Sequence, residues 1–157
     1  MIESSEAISK IREAAERAAL PFTELGLGTD IEMFCYDARL RETDVGKARY
    51  ISAILTLTLP DSEGKIHEYS LNVSCDATRR GVSEETLDKA ILDFDAECRR
   101  VYDMLSESED KLAVIDELFA IGEAEYQKLI KKLERIKNIL IIGSIIAIAV
   151  IVVLNLL

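Results

Sequence analysis

Arginine is the residue type in this chain best suited to recognition chemistry, and it is grouped. Arg39, Arg41, Lys47 and Arg49 surround the expected first turn of a sheet, Arg79 and Arg80 follow its third strand, and Arg99 and Arg100 lie on a long helix. A guanidinium presents a planar fork of donors that matches phosphate oxygens. Ser52, Thr56, Thr58, Ser70, Asn72 and Ser74 alternate with apolar residues along two strands and add hydroxyls and an amide on one sheet face. Together these groups are candidate ligands for a nucleotide or short oligonucleotide, held in a cleft between copies of the chain. The competing use of each arginine is a salt bridge to a neighbour such as Asp37, Glu42, Asp44, Asp95 or Glu97. Long duplex nucleic acid is disfavoured: residues 1–127 carry 14 Lys/Arg and 28 Asp/Glu, a net −14, without a concentrated basic stripe.

Nothing in the sequence supports catalysis. His67 is the only histidine, set beside a hairpin where an imidazole is more often a packing or surface group than a base. Phosphate-binding glycine loops, nucleophile elbows and metal-ligand spacings are all absent from the sequence. The carboxylates fall in runs such as Glu107–Asp110 that read as solvated helix faces. The expectation is a protein that is not an enzyme and uses no cofactor and no metal. Cys35, Cys75 and Cys98 lack a paired spacing and suit a reducing compartment.

These side chains need elements to position them. The 157 residues fit one domain. Ile8, Ile11, Ala15, Ala18 and Ala19 recur at helical spacing until Pro21, which predicts a first helix ending there. Residues 31–41 alternate, with Phe34, Tyr36, Ala38 and Leu40 on the expected core side. Ile51, Ala53, Leu55, Leu57 and Leu59 alternate in a second strand, and Tyr69, Leu71, Val73 and Cys75 in a third, joined by the turn residues Asp61, Ser62, Glu63 and Gly64. The simplest fold is α+β: an N-terminal helix, a three-stranded antiparallel meander, and a helix opened by Ser83 as N-cap.

From Leu87 onward a heptad holds without interruption: Ile91, Phe94, Cys98, Val101, Leu105, Ser108, Leu112, Ile115, Phe119, Gly122, Tyr126, Leu129, Leu133, Ile136 and Leu140. It predicts one long helix, or two collinear ones meeting near Ser106–Asp110. The stretch from Leu87 to Leu105 is expected to cover the sheet. Beyond Leu112 no other part of the chain remains to cover the stripe, so the expected partner is another protein or another copy of this one, with a parallel homo-oligomer preferred. Leu at one core position with Ile at the other favours four parallel strands.

The composition is acidic and apolar at once, with net charge −10, 49% hydrophobic residues and a mean hydropathy of +0.12. The apolar excess sits in the uncharged nineteen residues Ile139–Leu157, about 28 Å as a helix. That length predicts a C-terminal transmembrane helix. Lys128, Lys131, Lys132, Arg135 and Lys137 precede it, and with no signal peptide in view they predict a tail-anchored, single-pass protein of a bacterial inner membrane with a cytosolic N-terminus. Within the span, Leu140, Gly143, Ala147, Val150 and Leu154 continue the heptad with Ser144 beside it. They are candidates for helix packing or for lining a narrow pore. The expected division is a sensor domain at 1–107, a coiled-coil stalk at 108–137 and a membrane helix at 138–157.

That plan of sensor, stalk and bare span resembles the bacterial single-span antiphage membrane effectors, nearest the channel component of Hailong-type defence systems. The resemblance lies in architecture, covers the whole chain, and carries over no functional residue. It implies a tetrameric ion channel gated by a short nucleic-acid ligand. The alternative function is a tail-anchored adaptor that recruits a cytosolic partner.

Overall fold

The computed structural model describes residues 1–37, 49–78 and 81–156, without the side chains of 35–37, 49, 78, 138, 139 and 141–156. Its contacts divide the chain into two compact units, Met1–Glu117 and Leu118–Leu157.

Helix α1 (Ser4–Glu24) buries Ala7, Ile11, Ala14, Ala15, Ala19 and Phe22, steps of three and four that form one stripe. It does not stop at Pro21, as the sequence suggested. Proline so near a helix end costs one backbone bond, and the chain continues to a glycine stop. The Gly26 N–H donates to the Thr23 carbonyl and the Leu27 N–H to the Phe22 carbonyl, with Gly26 at φ 85°. This is the Schellman arrangement, whose left-handed residue favours glycine.

Among the described residues the sheet has four strands, not the expected three, in the order β1 (Gly28–Asp37), β2 (Arg49–Pro60), β3 (Ile66–Thr78) and β4 (Gly81–Val82), all antiparallel. β4 is too short to show a period, and what makes it a strand is its neighbours. Val82 pairs with Ala77 on one side and exchanges backbone bonds with Ile2 on the other. Gly81, at φ 107°, lets the Ile2 carbonyl come where any Cβ would stand.

Ile51, Ala53, Leu55 and Leu57 of β2 and Leu71, Val73, Cys75 and Ala77 of β3 are buried on one face. In β1 the expected face is reversed. Ile31 and Met33 stand opposite Leu55 and Ala53, whereas Phe34 stands opposite Ser52. Ala38 and Leu40 lie outside the described residues.

Helix α2 (Glu84–Glu107) buries Leu87, Phe94, Cys98, Val101 and Leu105, all heptad positions, against the rest of its unit. Ser83 occupies its N-cap position, although its side chain makes no capping bond. Of the two arrangements the heptad allows, one long helix or two meeting near Ser106–Asp110, the chain has two helices, parted at 108–110. Ser108 is extended, and α3 (Lys111–Leu156) starts afresh at Asp110, whose carboxylate accepts the Ala113 N–H at 3.0 Å. The Ser108 hydroxyl accepts the Asp110 N–H at 3.1 Å. Two short polar side chains thus stop one helix and cap the next.

Among the described residues, no helix is long and apolar enough to cross a membrane. This corrects the expected transmembrane helix, and with it the tail-anchored, single-pass placement in a bacterial inner membrane. The part of α3 with described side chains is heavily charged up to Lys137. Of the expected span residues, Leu140 is exposed. Gly143, Ser144, Ala147, Val150 and Leu154 belong to α3, but their side chains lie outside the described residues.

Candidate functional site

Of the eight expected ligand-binding residues, only Arg99 and Arg100 have described side chains. Arg39, Arg41, Lys47, Arg79 and Arg80 lie outside the described residues, and Arg49 is placed only by its backbone, paired with Asp37 and Ala77. Arg99 and Arg100, adjacent on α2, point to different places because successive helical residues diverge by about 100°. The Arg100 Nε donates to Glu97 at 2.9 Å, a second guanidinium nitrogen reaches the same carboxylate, and Nη1 lies 3.2 Å from the Met104 sulfur. That contact holds the Glu97 carboxyl below the usual range. Arg100 is therefore engaged within its own helix rather than offered to a ligand.

Arg99 lines a cleft of about 440 Å³ between α1 and α2, with Arg17, Glu24, Asp95, Phe22 and Tyr102 around it. Arg17 donates to Asp95 there at 3.2 Å, and the rings of Phe22 and Tyr102 meet edge to face at 6.1 Å. Among the described residues Arg99 has no ion-pair partner. The cleft contains two guanidinium groups and two carboxylates, so it is not the strongly cationic pocket that a polyanion needs.

The polar sheet face is assembled as expected, but its groups largely satisfy one another. Ser52, 3% exposed, donates to the Asn72 carbonyl oxygen at 2.6 Å, and Thr56 and Ser70 lie 3.2 Å apart. Asn72 and Ser74 also border a polar cleft of about 380 Å³ with Lys89, Asp93 and Glu97 of α2. Cys75 and Cys98 are buried free thiols. Burial, aided by Asp95 and Glu97, pushes the Cys98 thiol up to about 12, which makes it inert.

One cluster was not anticipated from the sequence. His67 Nδ1 lies 2.6 Å from Asp116 of α3, and its Nε2 lies 3.4 Å from Asp61 in the β2–β3 turn. The partners are two carboxylates, which orient the imidazole and favour its charged form. Among the described residues no group of side chains is arranged to hold a metal ion. Asp116 is 49 residues from His67 in sequence, and no local spacing signals such a pairing.

The most distinctive surface lies on α3. Among its described side chains, Ile115 and Leu118 are the last buried ones. Beyond them Phe119, Tyr126, Leu129, Leu133 and Ile136 are 46–56% exposed, at spacings of seven, three, four and three. An apolar stripe with a coiled-coil repeat is thus open to solvent along the charged half of the helix. Compared with known families, curated proteins and solved structures, the chain matches none.

Proposed function

We propose that the chain is a non-catalytic assembly module. Helix α3 zips identical copies together, and each copy presents its αβ unit to a partner. The observation that carries this reading is the exposed heptad stripe from Phe119 to Ile136. A repeat of 3.5 residues is the pattern by which helices interlock knobs into holes, and a surface stripe of that period fits its own copy.

The copies run parallel and in register. Residues 139–156 of α3 are uncharged in sequence, whereas Lys128 to Lys137 includes five cations. Parallel pairing sets the stripe and the uncharged run each beside its own equivalent. An antiparallel pairing centred on the stripe carries the uncharged run past the start of the partner's α3, and one centred on the run leaves the stripe open. Charge opposes the parallel arrangement weakly: Lys132 and Lys137 of neighbouring helices approach, at about 0.2–0.5 kcal/mol for a like-charge pair. Burying Leu or Ile outweighs that, at about 1.5–3 kcal/mol for each side chain. Leu133 and Leu140 alternating with Ile136 match the four-stranded preference, so the assembly is a tetramer.

A ligand-gated channel needs a bilayer-crossing helix, and no described helix is long and apolar enough to be one. The adaptor alternative survives without the membrane anchor. Sedimentation of the purified full chain tests the proposal. The wild type should sediment as a parallel tetramer, and Leu133→Glu, which sets like charges in one layer, should sediment as a monomer with the αβ unit still folded. A monomeric wild type, or a Leu133→Glu variant that assembles like wild type, refutes it.

A further inference from the structure

The root of α3, Lys111–Glu117, belongs to the first unit although the rest of the helix does not. Three contacts hold it there. The Lys111 ammonium donates to the Leu25 carbonyl at the end of α1 at 2.8 Å, where a cation suits the negative end of a helix. Ile115 is fully buried. Asp116 meets His67.

We propose that Asp61, His67 and Asp116 form a pH-sensitive clasp that fastens the root of α3 to the β2–β3 turn, and that its release frees Ile115 for the seam between copies. The second half rests on the self-association reading; the clasp itself does not.

The chemistry follows from counting protons. Asp61 is fixed by its own turn: its Oδ1 accepts the Glu63 and Lys65 N–H groups at 2.8 and 2.9 Å, leaving Oδ2 to face His67 Nε2. Asp116 takes the other ring nitrogen. A protonated imidazole has an N–H for each carboxylate. A neutral one has a single N–H, so one carboxylate then faces a lone pair. The His67 side chain is only 14% exposed, which limits replacement of the lost bond by water.

Of the groups facing the ring, Asp116 most strongly raises the imidazole above its ordinary value of 6.5. Asp61 adds to this, while burial and the Lys65 ammonium oppose it. The folded-state value is raised, so the stabilisation is complete below about 6.5 and is lost as pH rises through the higher folded-state value. At the acid end, the turn N–H groups and His67 hold the Asp61 carboxyl below its usual value. The Asp61 side of the clasp is therefore kept as pH falls through the usual carboxylate range.

Ile115 is a heptad position, and the register Ile115, Phe119, Gly122, Tyr126 continues into the exposed stripe. While clasped, Ile115 belongs to the αβ unit. Once released, it extends the seam by one layer.

The test combines imidazole titration by NMR with hydrogen exchange of residues 111–118 in the full chain, corrected for intrinsic rates. The imidazole should titrate above 6.5 in the wild type and shift down in Asp116→Asn. Asp116 is 60% exposed, so that variant should fold. Exchange protection of 111–118 should fall as the imidazole loses its proton, and should be low and independent of pH in His67→Gln. A wild-type imidazole titrating at or below 6.5, or root protection indifferent to its titration, overturns the clasp. Leu133→Glu separates the two readings. An intact titration in dissociated copies supports the clasp, whereas an intact titration with assembly unchanged by Leu133→Glu removes the self-association reading alone.

Discussion

The heptad positions of α2 and those of α3 beyond Leu118 form one series in the sequence but meet opposite surroundings. Leu87, Phe94, Cys98, Val101 and Leu105 are at most 6% exposed, whereas Phe119, Tyr126, Leu129, Leu133 and Ile136 are 46–56% exposed. A repeat says that a face must be covered; it does not say by what. In α2 the cover is the chain's own sheet and first helix. In α3 the account assigns it to other copies, with Ile115 at the changeover.

The comparison can be broken at either end. The largest effect on folding is expected in the covered half: Leu105→Ala removes a fully buried side chain and should cost about 2–5 kcal/mol of unfolding free energy in denaturant titrations. Association should remain intact wherever the unit stays folded. In the open half, Tyr126→Ala should do the reverse. Unfolding of the αβ unit should change by less than about 0.5 kcal/mol, while the dissociation constant rises at least tenfold by sedimentation. Equal effects of the two substitutions on folding would erase the distinction. The smallest effect is expected at Arg100→Ala. Its side chain is 49% exposed and its Glu97 partner 41% exposed, so the loss should be about 0.2–1 kcal/mol. A larger loss would mean that this arginine has a role beyond its ion pair.

The sequence is legible where one period has one cause. The alternations of β2 and β3 identified the buried faces, because apolar residues occupy only one of them. In β1 both faces carry apolar residues, Ile31 and Met33 on one and Phe34 on the other, and only the pairing with β2 chooses between them. Pro21 misled because a proline near a helix end is cheaper than a proline at its centre. The helix break was legible as one of two options: Ser108 and Asp110 are capping residues within the stretch where two helices are expected to meet, whereas the unbroken heptad equally allows one helix. β4 depends on Ile2 and Ala77, distant in sequence. The transmembrane reading rested on residues 139–157 alone, and no described helix is long and apolar enough to cross a membrane.

The candidate site was legible only in part. The Arg100–Glu97 pair follows from helical spacing, and the Ser52–Asn72 and Thr56–Ser70 contacts from strand alternation. The His67 cluster leaves no mark in the sequence, because its partners come from a turn and from another helix and meet only after folding.

Cysteine scanning of α3 decides whether copies meet in parallel along its apolar stripe. Each position from Leu118 to Ile136 is replaced singly by cysteine in a variant of the full chain lacking Cys35, Cys75 and Cys98, and disulfide-linked pairs are read on a gel after mild oxidation. The account predicts efficient self-linking that peaks at 119, 122, 126, 129, 133 and 136 and falls between them, as parallel, in-register copies require. Linking at one layer only, or no periodicity, would contradict it.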